Sequence, residues 1–151
     1  MNRLLFLLPV LFLASCEDTV DSVIPRTRVE VQLNTRTTGL DFEQNGYKLI
    51  SSVSPETPYI GFGGILLVKG YTSASEVYAF DLACPVEIKR TTRLTLQDGY
   101  KAVCPSCKSE FDVIRYGNPS PTAGPAKEQR LLLRQYNANY SEANYLLSVF
   151  N

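Results

Sequence analysis

Three cysteines concentrate the chemistry of this chain. Cys84 stands in Phe80-Asp81-Leu82-Ala83-Cys84-Pro85-Val86-Glu87, and Cys104 and Cys107 share Cys104-Pro105-Ser106-Cys107. Cys-Pro-x-Cys is a common zinc half-site, because a tight turn aims both thiolates at one ion. Cys84 would be the third ligand. A structural site wants a fourth, and Glu87 or Asp81 is the nearest carboxylate in sequence. Water is the other source. A cysteine-ligated iron–sulfur cluster is a further option for the same thiols. The Cys104-x-x-Cys107 spacing also suits thiol–disulfide exchange, in which a helix N-terminus lowers a thiol pKa. Here the residues from Lys108 onward read as a short strand, so no helix dipole is expected. Lys108 itself would favour a thiolate only slightly.

The missing residue types exclude as much as the cysteines suggest. The chain has no histidine and no tryptophan. Without imidazole there is no Ser-His-Asp or Cys-His catalysis and no histidine-ligated metal. Asp81, Glu87, Glu110 and Asp112 lie near the cysteines, and paired carboxylates can do acid–base work. Nothing in the sequence brings two of them together, so they are expected to be solvated loop charges. The nine tyrosines are expected at the core edge with wet hydroxyls. Gly61-Phe62-Gly63-Gly64 precedes a strand and is too short for a phosphate loop. No catalytic residue is expected, and the chain does not read as an enzyme.

The N-terminus reads as an export signal. Arg3 gives a positive start, and Leu4 to Leu13 is apolar except for Pro9. That run is shorter than the roughly 20 residues a spanning helix needs, and it has signal-peptide length. It ends in Leu13-Ala14-Ser15-Cys16, the pattern of a bacterial lipobox. Residues 1–15 are therefore expected to be removed, leaving Cys16 as the lipidated first residue. Acyl chains partition at about 0.8 kcal/mol per buried methylene, so membrane lipid is the expected partner at Cys16. Glu17 and Asp18 resemble a surface-export signal of lipoproteins from the Bacteroides group, and read equally well as the start of a solvated linker. The expected location is the cell envelope, on the periplasmic face or the surface of the outer membrane.

With Cys16 used for lipid, Cys84, Cys104 and Cys107 remain. An odd number in a disulfide-permissive compartment leaves one unpaired, on a metal, or bonded outside the chain. Lysine plus arginine and aspartate plus glutamate both number 15. No basic excess exists to attract nucleic acid. No second apolar run approaches membrane-spanning length, so the body is expected to be soluble; an unidentified envelope protein is its expected partner.

The cysteines need elements to hold them. Residues 17–28 are polar, contain Pro25, and are expected to form a tether. From Val29 the pattern is of short strands, with Val29, Val31 and Leu33 alternating with polar residues. Tyr47–Ile50 is a second candidate. Ile65–Val68 is apolar throughout, as a strand buried on both faces would be. Val77–Phe80, Leu94–Leu96, Tyr100–Val103, Phe111–Ile114, Leu131–Tyr136 and Tyr145–Phe150 follow, with Asp98-Gly99 as a turn. Asn118–Pro125 holds three prolines and is expected to be a rigid loop. The expected class is all-β, stacked antiparallel sheets in one domain over residues 29–151.

The order of these elements resembles the Rieske iron–sulfur domain over about residues 45–151. In that family two cysteine loops each leave a strand, and a proline-rich loop with a Gly-Pro element covers the cluster. Cys84 and Cys104 fall on the two family cysteines. Cys104-Pro-x-x-x-Ser109-x-Phe111 matches the flank of the second loop, and Gly124-Pro125-Ala126 matches the cover loop. The histidines are missing, with Val86 and Cys107 in their places. A Rieske centre needs two histidines on one iron, so an ordinary cluster is not expected. The chain looks most like the Rieske-like lipoproteins of Bacteroides-type bacteria with a degenerate ligand set.

The resemblance implies that the cysteine sulfurs lie close together. Cys84 then has Cys104 or Cys107 as a disulfide partner, worth roughly 3 kcal/mol in the chain-entropy model. The leading expectation is a structural or interaction module without a cofactor. The competing one is an electron-transfer or thiol-redox protein, using the three cysteines on zinc or an atypical iron–sulfur cluster, or as a disulfide.

Overall fold

The computed structural model describes residues 21–37, 46–70, 72–73, 75–98, 100–113 and 118–151. The signal segment, Cys16, Glu17, Asp18, Gly99 and Ile114 lie outside the described residues. The described residues form eleven strands and one four-residue helix. They are β1 (Val29–Asn34), β2 (Tyr47–Ile50), β3 (Tyr59–Ile60), β4 (Ile65–Lys69), β5 (Val77–Asp81) and β6 (Thr95–Gln97). Next come β7 (Lys101–Val103), β8 (Glu110–Asp112), β9 (Pro121–Ala123), α1 (Pro125–Glu128), β10 (Gln135–Ser141) and β11 (Leu146–Phe150). The class is all-β, as expected. A seven-stranded sheet runs β2-β4-β5-β10-β11-β1-β3 and curls into a nearly closed barrel. A four-stranded sheet runs β6-β7-β8-β9. All pairings are antiparallel.

The apolar run in β4 explains how the two sheets share one body. Ile65 and Leu67 enter one buried cluster with Val31, Ala79 and Leu147. Leu66 and Val68 point the other way, into a second cluster with Phe80, Ala102 and Phe111. A strand alternates its side chains between faces, so a strand buried on both faces must be apolar at every position. Each such side chain contributes about 1.5–3 kcal/mol by leaving water. The second cluster includes Cys84 and Cys104, so the cysteine loops close over the core that joins the sheets.

Three expectations are corrected. Asn118–Pro125 is not all loop, because Pro121–Ala123 pairs with β8 as an edge strand. Proline is tolerated on an edge, where its missing N–H is not needed by a neighbour. The final long strand pair begins later than expected, at Gln135, because Tyr136, Ala138 and Tyr140 pack towards the barrel cluster while the polar residues between them face away. The described part of the expected tether is docked, not free. Ile24 is fully buried. Buried Arg134 donates from Nε to the Ile24 carbonyl at 2.7 Å and from Nη2 to the Ser22 carbonyl at 2.6 Å. Val20, Val23 and Ile24 are scattered in this stretch without a strand alternation, so the docking had no clear sequence signal.

Candidate metal and thiol centre

Cys84 follows β5, after Leu82 has bonded the Gly64 carbonyl at 2.9 Å and Ala83 has bridged to Arg93. Cys104 and Cys107 occupy the β7–β8 connection. Both loops are built alike. The Ile88 N–H donates to the Cys84 carbonyl at 2.9 Å, and the Lys108 N–H donates to the Cys104 carbonyl at 3.1 Å. The closing residue has positive φ in both, 49° at Ile88 and 62° at Lys108. A β-branched residue in that region is strained and persists only when its surroundings hold it. Counted from the first cysteine of each turn, Val86 corresponds in sequence to Ser106, and Glu87 to Cys107.

The structure brings the three thiols together. Their Sγ atoms lie within 4.8 Å of one another, with Cys84 and Cys104 buried and Cys107 half-buried. Cys84 Sγ is 3.5 Å from Cys107 Sγ. All three are free thiols. Burial pushes the Cys84 thiol up to about 12, only partly offset by the Glu87 and Val86 N–H groups aimed at its sulfur, and the Cys104 and Cys107 thiols add to the rise. Burial acts on Cys107 in the same sense. It is outweighed by the Ser109 hydroxyl and N–H together with the neighbouring thiols, and Cys107 is held below the ordinary thiol range. Cys107 is therefore the readier thiolate of the two.

Ser109 ties the cover segment to the thiols. Its Oγ is 3.1 Å from Cys107 Sγ and accepts from the Ala126 N–H at 3.0 Å. Ala126 packs in the same buried cluster as Cys84 and Cys104. Gly124 has φ 74°, and a Cβ there would lie 2.8 Å from the Ser109 Cα and 2.9 Å from the Lys108 carbonyl oxygen. The close approach thus requires glycine. Pro125 then starts α1, where its fixed φ suits the first helical turn.

Glu87 is not placed among the thiols. Its Oε1 accepts from the Ser106 hydroxyl at 2.9 Å, and its Oε2 is 3.5 Å from Lys89 Nζ. The carboxylate braces the first cysteine turn against the second. Val86 packs against the apolar cluster around Cys84.

Asp81 departs furthest from its expected role as a solvated charge. It is fully buried. Its carboxylate accepts from the Phe62 N–H at 2.8 Å, Gly63 N–H at 2.9 Å, Ala83 N–H at 2.7 Å and the Tyr136 hydroxyl at 2.6 Å. These bonds satisfy the buried charge. They also anchor the approach to Cys84. Tyr136 is buried too, not wet at its hydroxyl, and burial with the adjacent carboxylate raises its pKa. The glycines of the 61–64 loop were the one available signal. A Cβ on Gly63 would lie 2.8 Å from Asp81 Oδ1 and 2.5 Å from the Ala83 nitrogen.

A tetrahedral zinc site with Zn–S bonds near 2.3 Å has sulfurs about 3.8 Å apart. The thiol spacing, from 3.5 Å to an upper bound of 4.8 Å, spans that value. A two-iron Rieske cluster fits less well, since its second iron requires two nitrogen donors and the residues here are Val86 and a third thiol. Compared with family models, curated proteins and solved structures, the chain matches none.

Proposed function

We propose that the protein is a lipid-anchored envelope protein whose Rieske-like domain has exchanged the cluster for a single-ion thiolate site, and that it serves as a structural or interaction module. Cys84, Cys104 and Cys107 would hold zinc, with water or a donor from outside in the fourth position. The observation that supports the ion site is the convergence of three sulfurs from two matching turns; the anchor rests on the Leu13-Ala14-Ser15-Cys16 pattern alone. The ion would supply cross-linking between the β5 end and the β7–β8 hairpin. Cys16 would carry the lipid.

Cobalt(II) titration of the reduced protein tests the site. The reading expects one equivalent to bind with intense sulfur-to-metal absorption, lost in C84S and C107S. Absence of that absorption would overturn it. The 3.5 Å contact between Cys84 and Cys107 sulfurs favours a second reading, in which these two form a disulfide under oxidising conditions and Cys104 stays reduced. Intact mass after alkylation separates the two.

A further inference from the structure

A cleft lies over the loop whose Phe62 and Gly63 amides Asp81 holds. It has a volume of about 380 Å³ and is lined by the 61–64 loop together with Thr27, Tyr59, Arg28, Arg90 and Arg93. That volume falls within the range of small-molecule sites. The lining contains three arginines and no acidic residue. Arg28 is neutralised by Glu30 at 2.5 Å. Neither Arg90 nor Arg93 is ion-paired with a carboxylate among the described residues, and the buried Asp81 beneath the loop is already engaged by the loop amides and Tyr136, so both guanidiniums are left available to a ligand.

The guanidinium groups are also oriented. Arg90 stacks over Phe62 at 4.7 Å and Arg28 over Tyr59 at 4.1 Å from the ring centres. Arg93 is half-buried and donates from Nε to the Gly63 carbonyl at 2.6 Å. Stacked or tethered arginines lose little further freedom on binding, and their planar forks match oxyanions. The loop amides of Phe62 and Gly63 point inward to Asp81, so they do not compete with the guanidiniums for a ligand. Pro58, Ile60 and Val53 give the cleft an apolar wall. The Thr27 hydroxyl is buried and has no hydrogen-bond partner among the described residues, and Thr27 lies on this same cleft. Buried polar groups are nearly always paired.

We propose that this cleft binds a small organic oxyanion, a carboxylate or phosphate monoester with an apolar body, on Arg90 and Arg93. The inference does not depend on the thiol site.

Calorimetric titration of the full-length chain in neutral detergent tests it with four probes: benzoate, phenyl phosphate, inorganic phosphate and benzyl alcohol. One or both of the aryl anions should bind, and which one is tighter identifies the head group. Inorganic phosphate should bind at least about tenfold more weakly than phenyl phosphate, and benzyl alcohol should not bind. R90Q and R93Q should each weaken aryl-anion binding about tenfold or more. Arg90 is exposed, so R90Q should fold with an unchanged melting temperature even if R93Q disturbs the loop. K127Q, on α1, should bind like the parent chain. The proposal is overturned by no binding of either aryl anion, by equal binding of benzyl alcohol, or by unchanged affinity in folded R90Q.

Discussion

Ser106 donates its hydroxyl to Glu87 at 2.9 Å, linking the two cysteine turns at the position where a fourth ligand was expected. Each turn closes on the residue four positions beyond its first cysteine, and the matching geometry sends Cys107 towards Cys84 while Glu87 turns to Ser106. The proposed site therefore has three protein ligands and depends on contacts that hold the turns in register. Those contacts give the predictions that follow.

Ser109→Ala removes the hydroxyl shared between Cys107 and the Ala126 N–H. The Ala126 N–H then lacks its partner in a buried place, which costs about 1–3 kcal/mol. Losing the Ser109 hydroxyl also raises the Cys107 pKa. In metal-free protein, the pH profile of Cys107 alkylation should move to higher pH in S109A. An unmoved profile would show that Ser109 does not support the thiolate.

Asp81→Asn offers one oxygen and an NH2 group where a carboxylate accepts four donors. Breaking such a buried charged network costs on the order of 3 kcal/mol. Tyr136→Phe removes one of those bonds and should cost about half as much. Urea denaturation of both variants checks the order. Equal destabilisation would mean that the loop amides contribute little.

Alkaline pH should weaken the metal-free protein. The folded Cys84 thiol titrates near 12 against an ordinary 9.0. A raised pKa means that the neutral form is favoured by folding. Its stabilisation is whole below pH 9.0 and is lost as pH rises towards 12. Tyr136 acts in the same sense above its ordinary 10.0. Metal binding needs thiolates, so the bound form should gain on the free form as pH rises. Denaturation of metal-free and zinc-loaded protein across this range should show the two curves diverging. Parallel curves would contradict the role of Cys84.

Much of this site could be read from residue types, and part could not. Cys84, Cys104 and Cys107 were singled out by chemistry alone. Ile65–Val68 disclosed its two-sided burial because every position is apolar. Gly124 could be placed with the cover segment, although its close approach to Ser109 arises only in the folded chain. Beyond the glycines of the 61–64 loop, Asp81 gave no sign of burial, since its partners Phe62 and Gly63 in that loop are 19 and 18 residues away. Glu87 misled because nearness in sequence does not fix where a turn sends a side chain. Arg134 and Ile24 meet across 110 residues, a contact that no local pattern encodes.

The most direct measurement is the metal content of the full-length protein, purified reduced, without oxygen and without a metal-binding tag. The account predicts about one zinc per chain in the parent protein and far less in C84S and C107S. No bound metal in reduced protein with three alkylatable thiols would contradict the single-ion site.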